Sequence, residues 1–458
     1  MLPLLKSTLP TPTESRAVIE GYTNQLSYRP GEDALLCVSC SAPKYSVDVA
    51  RIGAERVSVW KKADVPGKEQ VIQPNASSHG CGWKINLPIP IGKDWKSGYY
   101  SARLTADNKA TTEVFFVVRA RVKNKILLIL STNTYNAYCN WGGYSLYAYN
   151  GTNRVQGRRV SFERPIAGQF GQWEQPFVAW AEKAGYELDY AVNSDLEDPK
   201  LLKTQLGGFR KNRDEYSLVL SVGHDEYWSK LMRDNLDTYI ADGGNVAFLS
   251  GNTCCWQVRT EIDTRGKALV CYKQAFMADP QYRTKDHSLL TTLWSHHLVK
   301  RPENALTGVG FLWGGYHKSH GQFMDGSGAF TVHRPAHWVF AGTDLKRGAS
   351  FGGKDTIVGY ECDGCELSWK DGLPSPTFRD GTPRGFEVLC TAPARWHPND
   401  CEWYDRWEKG RTGNAVLGIY TRGGTVLTAG TTDWAHGLRG KDPSVERITR
   451  NILDKLGK

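Results

Sequence analysis

The segment LVLSVGHDEYWSKLMRDNLDTYIADGGNVAFLSGN, residues 218–252, decides how the chain is read. Its first residues, 218–222, are a short apolar run of the kind a strand shows when both faces are covered. The run ends at Gly223-His224-Asp225-Glu226-Tyr227-Trp228. A helical period follows, with Trp228, Leu231, Met232, Leu236, Tyr239 and Ile240 on one face. Gly243-Gly244 closes that helix, and NVAFLS (245–250) starts another apolar strand. Strand, crossover helix and strand predict a parallel pair, and open α/β sheets keep their chemistry in the loops at the carboxyl ends of such strands.

The same grammar extends in both directions. KILLILS (125–131), a helix near 173–184, ELDYAV (187–192) and the resumed strand 424–430 with its closing helix 443–456 predict an α/β domain over 122–458. The expected fold is a parallel sheet of flavodoxin or glutamine-amidotransferase type. A large irregular insertion, rich in Gly, Pro, Trp and His, interrupts it at about 253–420 and could roof the active face. Residues 16–121 read differently, as six or more short alternating strands separated by turns such as Arg29-Pro30-Gly31-Glu32. They predict an all-β sandwich with a structural or docking role, and residues 1–15 are left as an N-terminal tail.

Composition narrows the function classes. A net charge of +9, from 57 Lys+Arg and 48 Asp+Glu, comes without a dense basic run or a nucleic-acid-binding motif, so no nucleic-acid partner is expected. No run of eighteen apolar residues suggests a membrane span, and the first residues lack the apolar core of a secretory signal. A cytoplasmic protein with reduced thiols is expected from its 11 Cys. The pairs Cys37/Cys40 and Cys362/Cys365 fall in different domains, which argues against a shared zinc site. The 16 Trp and 21 Tyr favour surfaces for small or carbohydrate-like ligands.

Aligning the predicted strand ends collects one constellation. Tyr138, Asn140, Trp141 and Tyr147 follow the first strand, and His224, Asp225, Glu226 and Tyr227 follow the third. Asn252 follows the fourth, and Asp433 and His436 the last. No G-x-S-x-G or G-x-C-x-G elbow occupies the 223–227 turn, which disfavours a Ser or Cys nucleophile. Acid–base or metal chemistry remains, since a phenol works at neutral pH as a hydrogen-bonding group or as phenolate on a hard cation. The alternative is structural: Tyr227 packs at a first helical turn, and Asp225 and Glu226 cap the helix.

GHDEYWS, GGNVAFLSGNTCCW, IVGYECDG and TVLTAGTTDWAHGL, with the ITRNIL helix, together resemble the large (beta) subunit family of N,N-dimethylformamidase over roughly 122–458. The resemblance implies a mononuclear iron held by two Tyr phenolates and one Glu, hydrolysing a small amide. By motif it assigns Tyr227 to one phenolate and Glu361 to the carboxylate. The second phenolate is expected near the helix at 173–184, which offers Trp173 and Phe177 before reaching Tyr186. Tyr138 is the preferred substitute, ahead of Tyr147 and Tyr190.

Fe3+ suits such oxygen donors and would leave positions open for water and an amide carbonyl. His224, Asp225, Glu226, Asp433 and His436 are the candidate catalytic acids and bases, with Asn140, Trp141 and Asn252 as substrate contacts. A homo-oligomer or a small-subunit partner would fit the resemblance. Two other readings stay open: a metal-free hydrolase or lyase on this scaffold, and a non-catalytic protein binding carbohydrate or another protein.

Overall fold

Residues Ile126–Leu130, ILLIL, are all buried, and alternate side chains serve two cores. Leu128 and Leu130 join one core, Leu127 and Ile129 the other, as the two-residue period of a doubly covered strand requires. The first core gathers Phe177 and Val178 from the helix Gln175–Lys183, and Ile448 and Ile452 from the helix Pro443–Leu456. The second gathers Met232, Leu236 and Ile240 from the helix Lys230–Ala241. This computed structural model describes residues 18–202, 215–319, 322–323, 328–396 and 412–458, so the tail expected over 1–15 lies outside them.

Five strands are parallel neighbours in the order Leu188–Val192, Ile126–Leu130, Leu218–His224, Asn245–Gly251 and Gly424–Thr428. The expected flavodoxin-type parallel domain does not form, however. The sheet continues antiparallel through Thr412–Arg422, Glu387–Arg395, Gly310–Tyr316 and Glu361–Gly364, and with Phe330–Val332 and Ser350–Phe351 attached at Glu387–Arg395 it is one mixed sheet of 11 strands. The region expected to be an irregular insertion supplies those antiparallel strands. The cause is local at the junction. Thr412–Arg422 reaches Gly424–Thr428 through Gly423 alone, with φ +78°, and so short a link permits only an antiparallel hairpin.

The helical period read from 228 onward also needs correction. Tyr227–Ser229 is a short strand, the helix starts at Lys230, and Leu231 is 57% exposed. Tyr227–Ser229 belongs to a second sheet of four strands, running Arg159–Ser161, Gly266–Val270, Trp256–Asp263, Tyr227–Ser229.

The N-terminal segment forms two sheets of three and five strands. Leu36 and Val38 from one, with Val47, Val49, Tyr100 and Phe116 from the other, fill a shared core, which makes a β-sandwich. The sandwich is tied to the large sheet. Phe115 and Val117 enter the larger core, Tyr99 stacks on Phe170 at 4.0 Å, and Arg51 pairs with Glu182 at 2.6 Å.

Candidate functional site

The strand Leu218–His224 ends beside Trp173. Gly223 has φ +83°, and a Cβ there would lie 2.4 Å from the Cβ of Trp173, so only glycine lets the chain turn past the indole. Three buried residues follow, His224, Asp225 and Glu226. Tyr227 then pairs in parallel with Trp256. Ser229, not either acid, caps the helix Lys230–Ala241, its Oγ accepting from the Met232 N–H at 3.3 Å. The capping alternative for Asp225 and Glu226 is therefore excluded.

Glu226 is the centre of the cluster. Its Oε2 accepts from the Tyr138 hydroxyl at 2.8 Å, and its Oε1 accepts from Tyr147 at 2.9 Å and from the Trp256 indole at 2.8 Å. Tyr227 donates to the Tyr147 hydroxyl at 2.7 Å, so its link to Glu226 passes through Tyr147. On the other side, His224 Nε2 lies 3.2 Å from Glu226 Oε2 and 2.8 Å from Glu361 Oε2. Asn252 Nδ2 donates to that same Glu361 oxygen at 3.2 Å.

Glu361 reaches the site because its strand is stitched to the loop after the last parallel strand. Asp363 N–H bonds Gly430 O at 3.0 Å and Thr432 N–H bonds Glu361 O at 3.1 Å. Gly251 permits this close approach, since a Cβ there would fall 2.6 Å from Glu361 O.

The electrostatics follow from burial of three ionisable groups side by side. Burial disfavours the His224 imidazolium, but the Glu361 charge and the contacts with both carboxylates outweigh it and raise its pKa to about 10. Burial also pushes Glu226 toward protonation, yet His224 and the surrounding donors prevail and hold it below the usual range. Burial dominates at Glu361 and raises it. Burial, followed by the neighbouring Glu226 charge, holds the phenols of Tyr138, Tyr147 and Tyr227 well above their ordinary value. Lys273, with a strained φ of +53°, places its ammonium 3.3 Å from the Tyr147 ring centroid, 4.9 Å from Trp256 and 5.1 Å from Tyr227. Burial lowers its pKa to about 8.

The structure thus brings His224, Glu226, Tyr227, Tyr138, Glu361 and Asn252 into one cluster. Asp225 lies beneath it, accepting from Ser221 at 2.9 Å and Asn193 at 3.2 Å. His436 stacks on Trp173 at 6.2 Å, with Asp433 3.6 Å from its Nδ1. Asn140 and Trp141 are engaged elsewhere, Asn140 donating to Asn150 O and Trp141 donating to Glu20 of the sandwich at 2.8 Å. Sequence reading missed Tyr360, Trp173 and Lys273 as site members. Tyr360 stacks on Trp173 at 6.1 Å and meets His224 edge-on at 5.8 Å, and its place beside Glu361 in GYECDG was the available signal.

Imidazole, carboxylate and phenol groups meet here. His224 Nε2 faces two carboxylate oxygens without a well-directed hydrogen bond to either, because one N–H cannot point at both. Among the described residues no three His, Cys, Asp or Glu side chains form a metal-holding group by themselves. A phenol would complete the set, and carboxylate with phenolate suits a hard cation. Trp173 stands where a second phenol was sought, and Tyr138 and Tyr360 bring phenols to the same ring cluster.

Comparison with known proteins adds an independent line. The family described as N,N-dimethylformamidase beta subunit-like, C-terminal, matches residues 46–447. The N,N-dimethylformamidase beta subunits of Paracoccus aminophilus and of an Alcaligenes species are each 24% identical over 447 residues. The matches cover 82% of this chain but 55% and 54% of those proteins, so the chain spans about half the length of the curated relatives it matches. A solved cycloisomaltooligosaccharide glucanotransferase from Paenibacillus sp. is similar at 12% identity over 50% of this chain and 44% of its own, with a TM-score of 0.17 that carries no structural argument.

Proposed function

We propose, from the premise that this chain belongs to the N,N-dimethylformamidase beta subunit-like, C-terminal family, that its buried cluster hydrolyses the C–N bond of a small amide. The observation that carries this reading is His224 held between Glu226 and Glu361 inside a ring of phenols. The two relatives named as N,N-dimethylformamidase subunits supply the substrate class. Tyr138, Tyr227 and Glu361 would hold iron, which when bound would supply Lewis acidity toward an amide carbonyl and make a water more acidic.

The chain's own residues provide the proton chemistry. Glu226, kept anionic by His224 and its donors, can accept a proton from the attacking water. His224, kept protonated between two carboxylates, can deliver a proton to the departing amine nitrogen. Trp173, Tyr360 and Trp256 enclose that exchange in aromatic surface, which limits water and accommodates N-alkyl groups. The relatives' designation as beta subunits supports a partner subunit, with a homo-oligomer as the other arrangement. The test is release of dimethylamine from N,N-dimethylformamide by the purified chain, alongside elemental analysis for iron. Hydrolysis that persists undiminished in both Glu361→Gln and Glu226→Gln would overturn the proposal.

A further inference from the structure

A hollow lies beside the edge strand Leu188–Val192, where the sandwich meets the large sheet. Its volume is about 270 Å3, just below the roughly 300–1,000 Å3 usual for small-molecule sites. None of its lining residues belongs to the His224–Glu361 cluster. Among the described residues, Arg29, Arg119, Arg121, Lys123 and Lys200 border it, against a single acid, Asp198. Arg119 and Arg121 belong to the linker between the strands Thr111–Val118 and Ile126–Leu130, so both units contribute to the wall.

Among the described residues, three of these five cations have no ion-pair partner. Asp195 takes Arg119 Nη1 at 3.1 Å, and Lys123 donates to Leu201 O at 3.0 Å while lying over the Tyr216 ring. Arg29, Arg121 and Lys200 have no ion-pair partner among the described residues. Two of its lining residues carry a buried donor without an acceptor among the described residues. The Arg119 Nε–H has none, and neither has the hydroxyl of Tyr190, a residue only 1% exposed. A buried donor without an acceptor is costly, and a ligand that brings several oxygens and more than one negative charge would satisfy these groups together.

We propose that this hollow is a binding site for a small phosphate-bearing anion, separate from the amide-hydrolysing cluster and independent of that assignment. Because sandwich linker and sheet edge both line it, occupancy would hold the two units together and raise the melting temperature.

The experiment is calorimetric titration of the full chain with inorganic diphosphate at constant ionic strength, paired with melting curves. Expected are saturable one-to-one binding and a rise in Tm. Arg121→Glu and Lys200→Glu change exposed side chains, so they should fold normally and weaken binding at least about tenfold each. Tyr190→Phe, which removes only the unpartnered hydroxyl, should weaken binding and leave Tm without diphosphate unchanged or higher. The absence of saturable binding, equal binding of acetate, or full affinity in both charge-reversal variants would each overturn the proposal.

Discussion

His224 Nε2 stands 2.8 Å from Glu361 Oε2, with the two side chains arriving from opposite halves of one mixed sheet. His224 ends a parallel strand, whereas Glu361 begins an antiparallel one at the far edge. The loop after Gly424–Thr428 joins them by bonding to both regions, Thr431 N–H to Ser250 O at 3.1 Å and Thr432 N–H to Glu361 O at 3.1 Å. The contacts that join the two halves of the sheet therefore also place Glu361 beside His224.

Glu361→Gln preserves shape while removing the charge that most strongly favours His224 protonation. The His224 pKa should fall from about 10, and amide hydrolysis should be lost without loss of the fold. A raised histidine pKa stabilises the native state fully below the unfolded value of about 6.5, and that contribution disappears as pH rises through the folded value. In Glu361→Gln the alkaline loss of stability should thus be smaller and should end at lower pH. Melting curves from pH 6 to 10 and NMR titration of His224 measure both effects, and an unchanged titration would contradict the ion pair.

Tyr138→Phe, Tyr147→Phe and Tyr227→Phe each keep the ring and remove one oxygen. A hydroxyl that only donates a hydrogen bond should cost about 1 kcal/mol. A metal ligand should instead reduce iron content and weaken the visible phenolate-to-iron absorption. Loss is expected for Tyr138 and Tyr227, with iron retained in Tyr147→Phe. Iron retained at full stoichiometry in both Tyr138→Phe and Tyr227→Phe would place the metal elsewhere.

Glu174 is fully buried, and burial lifts its pKa to about 7 even though Tyr135 donates to it at 2.5 Å. A carboxyl whose folded pKa exceeds its unfolded value of about 4.3 binds more protons when native, so stability falls as pH rises from roughly 4 toward 7. Glu174→Gln should flatten stability across that window. Urea denaturation at several pH values checks this, and an equally steep decline in the variant would assign the effect to other groups.

Arg164 is completely buried and donates to the carbonyls of Asn136, Cys139, Trp141 and Ser161, which brace the segment between Tyr138 and Tyr147. Arg164→Met would leave those acceptors without donors at about 1–3 kcal/mol each before relaxation. A loss of at least about 3 kcal/mol in urea denaturation is expected. Stability within about 0.5 kcal/mol of the parent would show that water or backbone adjustment satisfies the carbonyls equally well.

Much of the candidate site is legible in the sequence. His224, Glu226 and Tyr227 follow a continuous apolar run that reads as a covered strand, and Tyr138 follows another, because backbone pairing and burial leave local period-two and all-apolar signatures. Glu361 could be named by motif alone, with no local signal to say that it reaches His224. The sheet type was not legible. Hydrophobic runs register that a strand is covered, not which neighbour it pairs with, so 253–420 read as irregular although six of its strands join the sheet antiparallel. Lys273 and Trp173 stayed hidden for the same reason: one follows a short strand of the second sheet and the other precedes a helix, and only packing turns both toward Glu226 and His224. The residue types and strand ends were properties of the local chain. The partner strands, and with them the charge state of His224 between two carboxylates, depended on contacts between segments far apart in sequence, which folding alone could decide.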